Sequence, residues 1–147
     1  AYQLPQLQTI THSTTSEGLS FKFGNETARE WKIARGYTFS IVDNDIKVAI
    51  SGLHTEGSVT NISEWGTNRF GKAFTTTIDQ PVIISAACNK RVTGGTITHK
   101  TDAYSATVKF GLNASGQPTA CPGAQDYYYL NIQWNLNNKT FSATLPY

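Results

Sequence analysis

The sequence predicts an all-β chain, an antiparallel β-sandwich of immunoglobulin-like or jelly-roll-like type with about eight to ten strands. Three observations carry this. Near the C-terminus Tyr128, Leu130, Ile132, Trp134 and Leu136 alternate with Tyr127, Tyr129, Asn131, Gln133 and Asn135. After Asn137-Asn138, a pair suited to a two-residue turn with positive φ, Phe141, Ala143 and Leu145 alternate with Thr140, Ser142 and Thr144. Period-two patterning on both sides of such a turn encodes a β-hairpin. A second hairpin is written around Asp43-Asn44-Asp45, where Tyr37, Phe39 and Ile41 face Ile46, Val48 and Ile50. Third, only 15% of residues are charged while Thr, Ser, Asn and Gly abound, the balance of a β-rich extracellular module and not of a disordered chain.

The remaining elements follow in order. Residues 2–15 are polar and Pro-interrupted, with Leu7 and Ile10 marking a first edge strand, and Leu19, Phe21 and Phe23 alternate in the next. Residues 25–36 read two ways: Thr27 and Glu30 have capping-box spacing and Arg35-Gly36 resembles a helix stop, yet Trp31 and Ile33 also fit alternation. Strands are expected over 74–78, 82–88, 92–99 and 104–112, with turns at Gln80-Pro81, Asn89-Lys90 and Lys100-Thr101-Asp102. Two long polar segments, 54–72 and 113–126, are expected to be loops, and loops of that length commonly carry function.

The 147 residues suit a single domain, 1–147. Net charge is +2, with the basic residues interspersed among acids, so no phosphate-tracking stripe forms and nucleic acid is not an expected partner. No apolar run approaches the ~20 residues that span a bilayer, so no direct membrane insertion is expected. The chain holds no Met, and an end trimmed after export accounts for a start at Ala1. Cys88 and Cys121 are too few for a metal site and too far apart for a redox pair. A disulfide in an oxidising compartment is expected, contributing about 3 to 4 kcal/mol for a loop of this size. Together these point to a secreted or cell-surface protein.

Trp65, Asn68 and Arg69 lie in the first polar segment among Gly57, Gly66 and Gly71. An aromatic plane beside amide and guanidinium donors matches a pyranose, whose apolar C–H face is rimmed by hydroxyls. A core role for Trp65 with solvated Asn68 and Arg69 is the alternative. Asp126 and Tyr127, at the end of the loop that Cys121 tethers, complete the candidate ligand-binding set, and Tyr127, Tyr129, Asn131 and Gln133 form an aromatic-amide strand face that suits solvent or a contact between subunits. His12, His54 and His99 never share ligand spacing on one element, and Asp43-Asn44-Asp45 lacks the Gly and distant Glu of a calcium loop, so no metal site and no cofactor are expected. For catalysis, His54, Glu56, Arg91 and His99 make a collection suited to metal-free RNA cleavage, and Glu56, Glu64, Asp79, Asp102 and Asp126 are the carboxylates open to glycoside hydrolysis. No nucleophile elbow, zinc-protease or phosphate-loop motif occurs, and no catalytic residue is assigned.

The run Cys88-Asn89-Lys90-Arg91-Val92-Thr93-Gly94-Gly95 resembles a turn in receptor-binding heads of bacterial pilus-tip adhesins and phage tail fibres. The resemblance implies a β-rich head presented on a fibre that attaches to cell-surface glycans, and carries no residue roles. The expected function is therefore that of a non-enzymatic adhesin or receptor-binding domain, lectin-like, taking a cell-surface glycan or glycoprotein as partner through end loops. A structural subunit of a pilus (fimbrium), fibre or coat, contacting other subunits or copies of itself, is the alternative. A small secreted hydrolase is the third.

Overall fold

The computed structural model describes residues 9–122 and 126–147, so Leu7 lies outside the described residues. The chain is all-β, with ten antiparallel strands and no helix among the described residues. In order they are β1 (Thr9–Lys22), β2 (Ala28–Val42), β3 (Asp45–Gly52), β4 (His54–Glu56), β5 (Val59–Thr67), β6 (Ala73–Ser85), β7 (Arg91–Thr101), β8 (Tyr104–Leu112), β9 (Tyr129–Leu136) and β10 (Lys139–Pro146). All join one hydrogen-bonded network. From β10 the order runs β9, β8, β7, β6, β3, β2, and β1 flanks β2. β5 fills the gap between β2 and β6 beyond the end of β3, with β4 paired to it.

The hairpin turns form as their residues dictate. Asn137 and Asn138 sit at φ 49° and 61°, Asp43 and Asn44 at 51° and 62°, and Asn89 and Lys90 at 57° and 59°. Paired positive φ values match the right-handed twist of the strands they join, and Asn and Asp tolerate them best.

One open reading is decided and two expectations change. Residues 28–42 are strand, because Trp31 and Ile33 pair with Gly66 and Glu64 on one side and with Leu19 and Ser16 on the other; tertiary pairing overrides the local capping signal. The segment 54–72 is two strands, a tight turn between them at 57–58 and a second turn after Thr67, so Trp65 stands on β5. Gln80-Pro81 does not turn the chain. β6 runs through it at the point where its partner changes from β5 (Ala73 to Thr77) to β3 (Val82 to Ser85). A residue with no N–H to give is tolerated where the ladder is interrupted.

Register gives the sheet two unlike faces. On one, Ile10, Phe39 and Val48 align, as do Tyr37, Ile50 and Val82, and further along His99, Ala106, Trp134 and Phe141. On the other, Thr77, Thr98, Thr107, Gln133 and Ser142 stand side by side. The apolar face is deepest at β6, where Phe74, Ile78 and Val82 are buried.

One end of the sheet is closed by aromatics and a disulfide. Cys88, in the β6–β7 turn, is bonded to Cys121 with Cα atoms 5.5 Å apart, which ties down the 113–122 loop. Tyr128 is 1% exposed and its hydroxyl donates to Cys88 Sγ. The Tyr147 ring stacks on Tyr128, while its hydroxyl donates to Val92 O (2.7 Å) and accepts from Gly111 N–H (3.0 Å). Among the described residues no helix is long and apolar enough to cross a membrane.

Gly95 answers the bulges of β6. It sits at φ 124°, and a Cβ there would lie 2.6 Å from Val82 Cα. Gly95→Ala is expected to destabilise the fold by about 2 kcal/mol or more, from backbone strain and collision together; equilibrium urea denaturation measures it.

Candidate functional site

The polar face carries the candidate site. Lys32 on β2 pairs with Trp65 on β5, Trp65 with Thr75 on β6, Thr75 with Lys100 on β7, Lys100 with Ser105 on β8, Ser105 with Asn135 on β9, and Asn135 with Thr140 on β10. Facing residues in register share a face, so one row crosses six strand-to-strand steps of about 4.8 Å each, roughly 29 Å in all. It is made of hydroxyls, amides and ammonium groups, with one indole near its end. The neighbouring row of Thr and Gln side chains doubles it. Here Thr98 Oγ1 donates to Asp79 Oδ2 (2.6 Å) and Thr77 Oγ1 to Asp79 Oδ1 (2.6 Å), fixing those hydroxyls.

Three clefts follow the row. Around Trp65, Lys32, His54 and Ser16 lies one of about 410 Å³. A second, of about 500 Å³, runs over Thr75, Thr77, Thr98 and Lys100. The third, of about 430 Å³, continues from Lys100 over Ser105 and Asn135 to Thr140. The second and third share Lys100, Thr101 and Asp102, so they are continuous.

Trp65 is half-buried and stacked on the His54 imidazole, with centroids 3.9 Å apart and planes 7° from parallel. That ring covers one indole face, so a ligand meets the pair and not a bare indole. Asn68 serves the turn after β5: its Oδ1 accepts from Phe70 N–H (2.9 Å) and Lys72 N–H (3.1 Å). The same motif recurs at Asn113, which accepts from Ser115 and Gln117. Asx-turn chemistry therefore accounts for the Asn68 oxygen. Arg69 packs its guanidinium over Phe23 (5.8 Å) and Phe70 (5.3 Å).

The five sequence-derived residues are not gathered together. Asp126 and Tyr127 adjoin Arg91, whose Nη1 donates to Asp126 O (2.7 Å), at the end of the sheet where β7 begins. Asn68 and Arg69 follow Thr67, whose partner Ala73 adjoins the end where β7 stops at Thr101. The eleven residues of β7 separate the two groups by roughly 33 Å. Trp65 is joined instead by His54, Thr75, Lys100, Ser105 and Asn135. Sequence reading missed these partners because they become neighbours only through register; the signal present was the run of Thr, Ser and Asn at every second position.

The catalytic collections are dispersed likewise. His54 lies with Trp65 on the polar face. His99 is on the apolar face, stacked on Phe74 (5.4 Å) and bonded through Nδ1 to Thr76 Oγ1 (2.9 Å). Glu64 is also on the apolar face, ion-paired with Arg35 and accepting from Trp31 Nε1 (3.2 Å). Among the described residues no three His, Cys, Asp or Glu side chains gather to hold a metal ion. At the β3 turn, Asp45 has its carboxyl held below the usual range by the Ser85 hydroxyl and the Ala87 N–H, and by nearby Lys47.

Compared with protein-family models, with curated proteins and with solved structures, the chain matches none.

Burial, and secondarily the Arg29 charge, push the His99 pKa below its ordinary value. The folded state then binds fewer protons than the unfolded chain. This stabilising contribution is complete above about pH 6.5 and is lost as pH falls toward the folded pKa. Thermal unfolding is expected to show a melting temperature that drops between pH 7.5 and pH 5, and a shallower drop in His99→Gln.

Proposed function

We propose that this chain is a carbohydrate-binding domain of an extracellular attachment protein, an adhesin-type module that holds a linear glycan across its polar face. The observation that carries the reading is the row from Lys32 through Trp65, Thr75, Lys100, Ser105 and Asn135 to Thr140. Its step of about 4.8 Å is close to the repeat of an extended hexose chain, so successive sugars meet successive strands. Thr and Ser hydroxyls and the Asn amide both donate and accept, as sugar hydroxyls do. Trp65 with His54 supplies the apolar platform for one ring at the end of the row. This shifts the contact from the end loops to the strand face that adjoins them. The disulfide supports an oxidising, extracellular setting.

A second reading, a subunit of a fibre, pilus or coat, draws on the extent of exposed apolar surface opposite this row. The two readings are compatible, since one face serves each.

A glycan array probed with the purified chain is expected to return linear oligosaccharides, with longer chains bound more tightly. Trp65→Ala, and separately Asn135→Ala and Lys100→Ala, are each expected to weaken the best hit by about tenfold, equivalent to about 1.4 kcal/mol. Asn135 is exposed, so its variant tests recognition without disturbing the core. An array without specific hits, or hits that all three variants retain, contradicts the reading.

A further inference from the structure

We infer that the apolar face is covered by a second copy of this chain, in a two-fold dimer that leaves the polar face free. From the buried centre at β6 this face opens toward both flanks. On the β1–β3 side Ile10, Phe39, Ile41 and Ile46 are exposed, Ile41 at 60%. On the β8–β10 side Tyr104, Trp134, Leu136, Phe141 and Leu145 are exposed, Phe141 at 53%. At about 200 Å² for a fully bared large side chain, these nine, each bared by roughly half, present about 900 Å² of apolar surface. A stable interface takes about 800 Å² from each partner, close to what the two flanks offer together. The area fits a second copy.

The two flanks differ in lining. The β8–β10 flank cups a cleft of about 440 Å³ between Tyr104, Trp134, Leu136 and Phe141. The β1–β3 flank carries a smaller aliphatic-rich hollow of about 160 Å³ lined by Ile10, Phe39, Ile41 and Ile46, whose side chains are exposed. In a two-fold arrangement every contact occurs twice, so the aliphatic-rich flank of each copy lies on the aromatic flank of the other. Of the charged residues on this face, Arg35 and Glu64 pair with each other, and Arg29 lies over the Trp31 and Phe74 rings at 5.1 and 5.2 Å with its buried Nε unbonded.

Sedimentation velocity with fluorescence detection, from about 1 nM to 50 μM, reaches well into the micromolar-to-picomolar range of interfaces this size. The expected species has twice the 16.1 kDa chain mass. Ile41→Lys and Phe141→Lys, on opposite flanks, are each expected to weaken association at least tenfold while far-UV circular dichroism stays that of the parent; if either lysine disrupts folding, Ile41→Ser and Phe141→Ser read the same effect. A bifunctional maleimide is expected to link a mixture of Ile41→Cys and Phe141→Cys chains into heterodimers, and to leave either variant alone unlinked. A monomer at every concentration, a trimer, or a dimer that neither flank's substitutions weaken would overturn the proposal.

Discussion

Parity is the constraint on which the rest of this structure depends. Side chains alternate across a strand, so a sheet stays amphipathic only if every strand is paired with its apolar residues in phase with those of its neighbours. From Ile10 on β1 to Phe141 on β10 that phase is kept. Where the sequence would break it, a bulge restores it. Ser16 pairs with Ile33 and Leu19 with Trp31, so an extra residue of β1 is absorbed and Leu19 and Phe21 return to the apolar face. The shift between Ile62 and Glu64 on β5 turns Glu64 to Arg35 and Trp65 to the polar side, where Ile62 is buried beside Thr77. Bulges here are instruments of register, as their usual association with barrel rims and functional edges suggests.

Phase also decides what each face can do. Hydrophobic burial is non-directional and scales with area, which suits the broad Ile-, Phe- and Trp-rich side to holding another surface. Hydroxyls and amides act through direction, which suits the Thr-, Ser- and Asn-rich side to reading a polar ligand. The closed end, where Tyr128 and Tyr147 meet the Cys88–Cys121 bridge, belongs to neither task. It fixes the β7 and β8 strands from which both faces are built.

Much of this was legible from residues alone. Asn137-Asn138 and Asp43-Asn44 announced their hairpins because positive φ is a local requirement and Asn and Asp meet it. The β8, β9 and β10 faces were legible because their alternation is unbroken. Three features were not. Pro81 signals a turn locally, but here it stands where β6 changes partners and owes the ladder no proton. The stretch from His54 to Thr67 lacks clean alternation because a bulge interrupts it, so two strands passed for a loop. At Thr27 and Glu30 the capping-box spacing is real, yet pairing of β2 on both sides outweighs it. The site was harder. Trp65 could be singled out by its chemistry, whereas Thr75, Lys100 and Asn135 are ordinary surface residues until register aligns them. Asn68, chosen for its amide, is used by its own turn.

Backbone NOEs between neighbouring strands test the central claim most directly, because they read register residue by residue. Cross-strand contacts are expected to link Lys32 to Trp65, Trp65 to Thr75, Thr75 to Lys100, Lys100 to Ser105, and Ser105 to Asn135. Contacts displaced by a single residue at β5 or β6 would send Trp65 to the apolar side and contradict the account.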